Sequence, residues 1–227
     1  MRLRLLEIAE HLFAELGVEN TPLQRIVAES GQRNRSALNY HFGSRRDLLS
    51  ALLDMRTRYM NGLRHDELDK VAAAGEEANI ALIARAVFQP LVDVIEHEPW
   101  GHSYVQVLAQ SLFDPGLTAH ELISAETTSG MRRGRDMLAA ALPDAPRDTI
   151  DARMVWATDV VIYSLARWCR EGAEVGTIPG QLEDMYDFII HGMSAPVSLQ
   201  TRRGQPPGSD RKTGLARWLD AGLDDKT

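Results

Sequence analysis

Cysteine is nearly missing from this chain: Cys169 is the single one in 227 residues, so no disulfide can form within the chain. No uninterrupted apolar run reaches membrane-spanning length, and the start carries no apolar core of a secretion signal, so a cytoplasmic location with no membrane partner is expected. Proline and glycine gather at a few junctions and do not punctuate short, evenly spaced strands, which argues against an all-β fold. No glycine-rich phosphate loop and no internal repeat is present. Nothing assembles an acid, a base and a nucleophile, so an enzyme reading lacks its chemistry and no cofactor is expected. What remains is 44% apolar residues at helical spacing, enough for a substantial core in an all-α chain.

The most informative stretch is 21–48, TPLQRIVAESGQRNRSALNYHFGSRRDLL. Thr21 is placed to cap a short helix, Pro22 suits its first position and Gln24 stands where a capping-box partner reaches back. Leu23, Ile26 and Val27 give that helix an apolar face, and Gly31 ends it. Asn34 is placed to open a second helix that runs to Phe42, and Gly43 stops it. Ser44 with Asp47 is a further capping box, opening a long helix through Leu48, Leu49 and Leu52. Two short helices across a glycine turn, then a third, is the plan of a helix-turn-helix.

The second helix has the side chains of a nucleic-acid reader. Arg33, Asn34, Arg35, Ser36, Asn39, Tyr40 and His41 surround only Ala37, Leu38 and Phe42 as packing residues. Arginine bonds guanine and asparagine bonds adenine bidentately, while serine, tyrosine and histidine hold phosphates. Net charge is −7, which alone argues against such a partner, but its distribution does not. Between 33 and 64 seven arginines stand against two aspartates, a net +5, while Glu67, Asp69, Glu76, Glu77, Glu96 and Glu98 follow. Arg2 and Arg4, at a helix N-terminus that disfavours cations, make sense beside a phosphate.

Residues 3 to about 60 resemble the DNA-binding domain of the TetR family of bacterial transcriptional regulators. The resemblance rests on the helix 3–16, on Thr21, Ile26, Val27 and Ala28, and on the run Leu38, Tyr40, His41, Phe42, Gly43, Ser44 and Arg45. It implies that Thr21, Gln24, Tyr40, His41 and Arg45 contact the backbone of double-stranded operator DNA, and that Arg35, Ser36 and Asn39 approach bases. The turn Gly31-Gln32-Arg33-Asn34 is one residue longer than the commonest family form, so Arg33 and Asn34 join the candidates.

Downstream, the helix from Ser44 is predicted to continue through Met55, Tyr59, Leu63 and Leu68 towards Gly75. Further helices are expected over 77–98, kinked at Pro90, and over 99–113, 117–142, 146–172 and 179–194. The helix 146–172 is apolar on nearly all sides: Ile150, Met154, Ala157, Val161, Leu165 and Trp168 form one stripe, while Val155, Trp156, Val160 and Ile162 cover others. It is matched by Leu182, Met185, Tyr186, Ile189, Ile190 and Met193. Helix-turn-helix proteins read paired half-sites, so a homodimer through Ala157, Val161, Leu165, Met185, Ile189 and Met193 is expected, the alternative being the core of a monomer. Phe88, Trp100, Tyr104, Met131 and Trp156 lie on separate helices. Core packing explains them, but the resemblance implies a small-molecule effector for which they are candidate pocket residues.

The expected architecture is thus a three-helix helix-turn-helix domain over 1–50, a larger helical ligand-binding and dimerisation domain over 51–195 and a tail over 196–227 rich in Pro, Gly and charge. Its expected role is a dimeric repressor released by a small apolar ligand. An activator or ligand-independent regulator is the alternative, and from another class a helical small-molecule enzyme or carrier. Pro99 and Gly101 break the register that His97, Glu98 and His102 would need to hold a metal, so none is expected. Cys169 reads as a small buried apolar residue, and Asp144, Asp148 and Asp151 as carboxylates at a helix start.

Overall fold

A helix leaves its first N–H groups unpaired, and in this protein side chains meet some of them, at Ser44 as predicted and at Asn79 besides. The computed structural model describes residues 1–31, 40–113, 123–124, 126–172 and 179–198. In chain order these form α1 (Arg2–Leu16), α2 (Leu23–Glu29), α3 (Arg45–Ala73), α4 (Ile80–His97) and α5 (Gly101–Phe113). A single 3-10 turn (Glu126–Thr128) then leads into α6 (Ser129–Ala141), α7 (Arg147–Arg170) and α8 (Pro179–Ser194). No strand occurs among the described residues; the fold is all-α. None of the described helices is long and apolar enough to cross a membrane.

The capping residue at Ser44 acts as its sequence predicts: its Oγ accepts from the Asp47 N–H at 3.1 Å, and Asp47 adds negative charge to the first turn of α3. Gly43 before it holds φ +78°, a conformation costly for any residue with a Cβ. Asn79 caps α4 in the same way, its side chain accepting from the Leu82 N–H at 3.2 Å. Thr21 does not cap α2. That helix starts at Leu23 with Pro22 as its flanking residue, and the buried Thr21 hydroxyl donates instead to Leu12 O (3.1 Å) and Gly17 O (2.7 Å). The residue before a proline is held extended, so Thr21 falls one place too early to cap and ties the turn back onto α1.

Leu5, Leu6, Ala9, Leu12 and Phe13 of α1 belong to one continuous apolar core with Ile26 and Val27 of α2 and Leu48, Leu49, Leu52 and Leu53 of α3. That core runs on without interruption into the body through Met60, Val87, Tyr104, Met154 and Val161. α3 packs on α4 and α6; α7 packs on α5, α6 and α8. The division expected at residue 50 therefore falls inside α3, which belongs to both units. The tail expected from 196 lies, from residue 199, outside the described residues, as do 117–122 and 125 of the helix expected over 117–142.

α1 also packs directly on α5. Gln110 of α5 accepts from the Val18 N–H at 2.9 Å and donates to Phe13 O at 3.1 Å, clamping the end of α1. Alongside lies a buried ion pair. Arg56 of α3 grips Glu10 of α1 with both arms, Nε to Oε1 at 3.0 Å and Nη2 to Oε2 at 2.6 Å. The face of its guanidinium lies over the Trp100 ring, 3.9 Å from the centroid, and Trp100 meets Tyr59 and Tyr104 edge-on at 5.6 and 5.8 Å. Burial pushes the Glu10 carboxyl above the usual carboxylate range, while Arg56 pulls it down.

Two substitutions test this packing. A Cβ on Gly134 of α6 would collide with Val87 of α4, so Gly134→Ala should cost roughly 1–3 kcal/mol despite a helix-propensity gain of about 1 kcal/mol. A higher melting temperature for that variant would contradict the close approach. Glu10→Ala should cost about 3–5 kcal/mol in urea unfolding, because Arg56 is left buried without its acid, and replacing both residues by methionine should recover much of the loss.

Candidate nucleic-acid interface and regulatory body

The last turn of the expected recognition helix, Tyr40 and His41, is helical and leads directly into Gly43 and the capped start of α3. Tyr40 is 86% exposed, extreme for an aromatic side chain, and its ring meets His41 edge-on at 5.3 Å. Phe42 turns inward and is buried. Over its ring, 5.0 Å from the centroid, lies the guanidinium of Arg2. The N-terminal cation that the sequence placed beside a phosphate thus sits next to the Tyr40 turn. Gln24 is exposed on the first turn of α2, where the helix dipole favours an anion. Arg33, Asn34, Arg35, Ser36 and Asn39 lie outside the described residues.

Two expected DNA contacts have other duties. Thr21 is fully buried with its hydroxyl donated within the chain. Arg45 is partly buried, its Nη1 donating to Val18 O and, at 2.7 Å, to Thr21 O. It straps the α1–α2 turn to the start of α3, a role set by carbonyls that the sequence pattern does not reveal. The net +5 of 33–64 is likewise not one surface: Arg56 is consumed by Glu10, and Arg64 is desolvated inside the body with its Nε donating to Val87 O.

Of the candidate pocket residues, Phe88, Tyr104 and Met131 face inward and are buried on α4, α5 and α6. Tyr104 Oη lies 3.3 Å from Thr57 Oγ1, and burial raises its pKa above the ordinary tyrosine value. Trp100 is engaged with Arg56 at the junction of α1, α3 and α5. Trp156 is 64% exposed: two positions beyond the buried Met154, it is turned by roughly 200° around α7, away from any interior cleft.

The expected dimer stripe also has another place. Ala157, Val161, Leu165, Met185, Ile189 and Met193 are all buried in the chain's own core, where α7 and α8 pack on each other and on α4, α5 and α6. Periodicity found the buried face but assigned it to the wrong neighbour. The large apolar side chains these helices leave exposed are Trp156, Tyr163 and Phe188. Cys169 is buried, and its thiol is pushed up to about 11 by desolvation, far from nucleophilic behaviour at neutral pH. His97 Nδ1 lies 2.9 Å from Asp93 O and Glu98 accepts from the Tyr59 hydroxyl at 2.8 Å; no metal-binding cluster occurs among the described residues. Sequence reasoning missed the Glu10–Arg56 junction. Its signal was a carboxylate set among Leu6, Ala9 and Phe13 on the buried face of α1.

Comparison with known proteins places both halves of this architecture. Residues 5–52 match the family described as bacterial regulatory proteins, tetR family. Residues 85–195 match the tetracyclin repressor-like C-terminal domain. No curated protein matches the chain. The crystal structure of Mycobacterium smegmatis AmtR resembles it with a TM-score of 0.55 at 21% identity, over 91% of this chain and 96% of that one, a likeness of fold. With the head and the body each matched, and both along one continuous helical core, the chain belongs to the TetR family of DNA-binding transcriptional regulators.

Proposed function

We propose that this regulator is a cytoplasmic repressor that binds operator DNA as a homodimer and is released by a small molecule held between α3, α4, α5 and α6. The observation that carries the reading is the placement of Tyr40: an aromatic residue left almost fully in solvent, one turn from the capped start of a helix whose far end lies in the body. Tyr40, His41 and Gln24, with Arg2 beside them, serve as phosphate contacts, and Arg33, Asn34, Arg35, Ser36 and Asn39 as the groups nearest the bases. The acidic groups that follow are partly tied up within the body, Glu67 with Lys70 and Asp69 with Arg133.

Dimerisation uses the face of α7 and α8 that bears Trp156, Tyr163 and Phe188. Three large aromatics on two helices that pack together make an unusual stretch to leave in water, and a reader of paired half-sites needs a second copy. Release follows from connectivity: α3 begins under the recognition turn and ends in the body, so a molecule that prefers a different setting of α3 spoils the roughly 34–36 Å spacing of the two recognition helices. A coupling of about 1–3 kcal/mol suffices to weaken operator binding by roughly 5- to 150-fold.

On DNA, Tyr40→Ala should weaken binding by about 1 kcal/mol equally on operator and scrambled duplexes, and Arg2→Ala should lower the salt slope by about one. Arg45→Ala, by contrast, should lower thermal stability as well as binding. Titrations at several salt concentrations decide this, and a Tyr40→Ala variant with undiminished affinity would remove the interface.

In solution, the wild type should sediment as a dimer at micromolar concentration. Phe188→Arg or Trp156→Arg should yield a folded monomer, because those positions are exposed within one chain, whereas Val161→Arg should unfold it. A wild type that sediments as a monomer with and without DNA would overturn the assembly.

A further inference from the structure

Arg64 lies about two-thirds along α3, on the face that carries Thr57, Asn61 and Leu68; α3 packs on α4 and α6. Its Nε donates to Val87 O of α4 at 2.9 Å, and the backbone of Gly130 on α6 passes so close that a Cβ there would lie 2.9 Å from the Arg64 Cβ. Among the described residues no carboxylate comes within ion-pair distance of this guanidinium, and its Nη1–Nη2 fork donates to no described group. The buried arginines nearby are treated differently: Arg56 has Glu10, and Arg135 has Asp136 and Asp151. Desolvation lowers the Arg64 pKa, yet the residue as a whole is not fully buried.

A desolvated cation without an acid is costly, and a protein that retains one gains where an anion arrives to neutralise it. The neighbours suit an anionic group. The charge of Arg64 is felt at Tyr104, whose hydroxyl shares a hydrogen bond with that of Thr57. The Arg64 guanidinium thus lies within electrostatic reach of the Tyr104–Thr57 hydroxyl pair, where the charges of Glu10 and Arg56 are also felt. The surroundings are apolar: Phe88 follows Val87 on α4 and Met131 follows Gly130 on α6, both buried.

We infer that the effector of this regulator is an apolar molecule bearing one anionic head, a carboxylate or sulfonate. The head is held by the Arg64 fork and the Tyr104 hydroxyl, and the apolar part lies against Phe88 and Met131. The inference rests on the reading that a small molecule binds the body, and it supplies that molecule's chemical class. It also gives binding a route to the DNA head, because Tyr104 meets Trp100 edge-on and Trp100 carries the Arg56 guanidinium that holds Glu10 of α1.

Anilinonaphthalene sulfonate and its uncharged parent phenylnaphthylamine, which share their rings and brighten in apolar clefts, separate the possibilities on the full chain. The sulfonate should bind the native protein about tenfold tighter than the neutral dye or better, and should weaken operator binding. Arg64→Met should abolish that preference and the effect on DNA while leaving the neutral dye unchanged. Arg64→Lys should keep part of it, and Arg58→Met, which alters an exposed arginine of the same helix, should change neither dye. Arg64→Met should also melt no lower than the native chain, since it removes an uncompensated cation. A preference that survives in Arg64→Met, or a marked fall in its melting temperature, would overturn the anionic head while the neutral dye still reports apolar binding. Failure of both dyes to bind would overturn the small-molecule reading itself.

Discussion

The Glu10–Arg56 pair is the contact on which the architecture turns. A bidentate ion pair taken out of water has little freedom to stretch or slide: its two hydrogen bonds hold only over a narrow range of angle, and either charge left alone in the core is strongly unfavourable. Placed between α1 and α3, with Trp100 pressed on the guanidinium face, it fixes the relation of the DNA-reading head to the body at one point. Apolar contacts around it supply stabilisation without direction. The ion pair supplies direction, and the head therefore moves, if it moves, as a unit with Trp100 and the start of α5.

What the sequence made legible and what it hid divide along a physical line. Helix ends are decided locally, so Ser44 and Gly43 act where neighbouring residues alone would place them, while the cap at Asn79 falls two residues inside the start expected for its helix. The exception at Thr21 comes from a restriction by its neighbour Pro22 that outweighs a favourable capping pattern. Periodicity located the buried faces of α7 and α8 correctly but could not say what covered them, because a stripe is the same whether it meets its own chain or another. The aromatics outside that stripe, Trp156, Tyr163 and Phe188, are the ones left exposed.

Charge was the least legible property. Counting arginines between 33 and 64 gives a basic segment, yet three of its members serve three different purposes: Arg45 straps a turn, Arg56 forms the buried ion pair and Arg64 is desolvated in the body. A formal count sums residues that never share a surface. The partners responsible lie far along the chain, 46 residues apart for Glu10 and Arg56 and 23 for Arg64 and Val87, beyond any local pattern.

The two fastenings between head and body differ in what they ask of evolution. Gln110 bonds the main chain of Phe13 and Val18, groups that any head of this shape offers whatever its side chains. The Glu10–Arg56–Trp100 stack needs three particular residues, one each from α1, α3 and the turn before α5. A recombined protein that joined this body to a foreign head would keep the first fastening and lose the second, folding around a headpiece whose angle was no longer specified. The angle at which this body would carry a foreign head therefore depends on these three side chains.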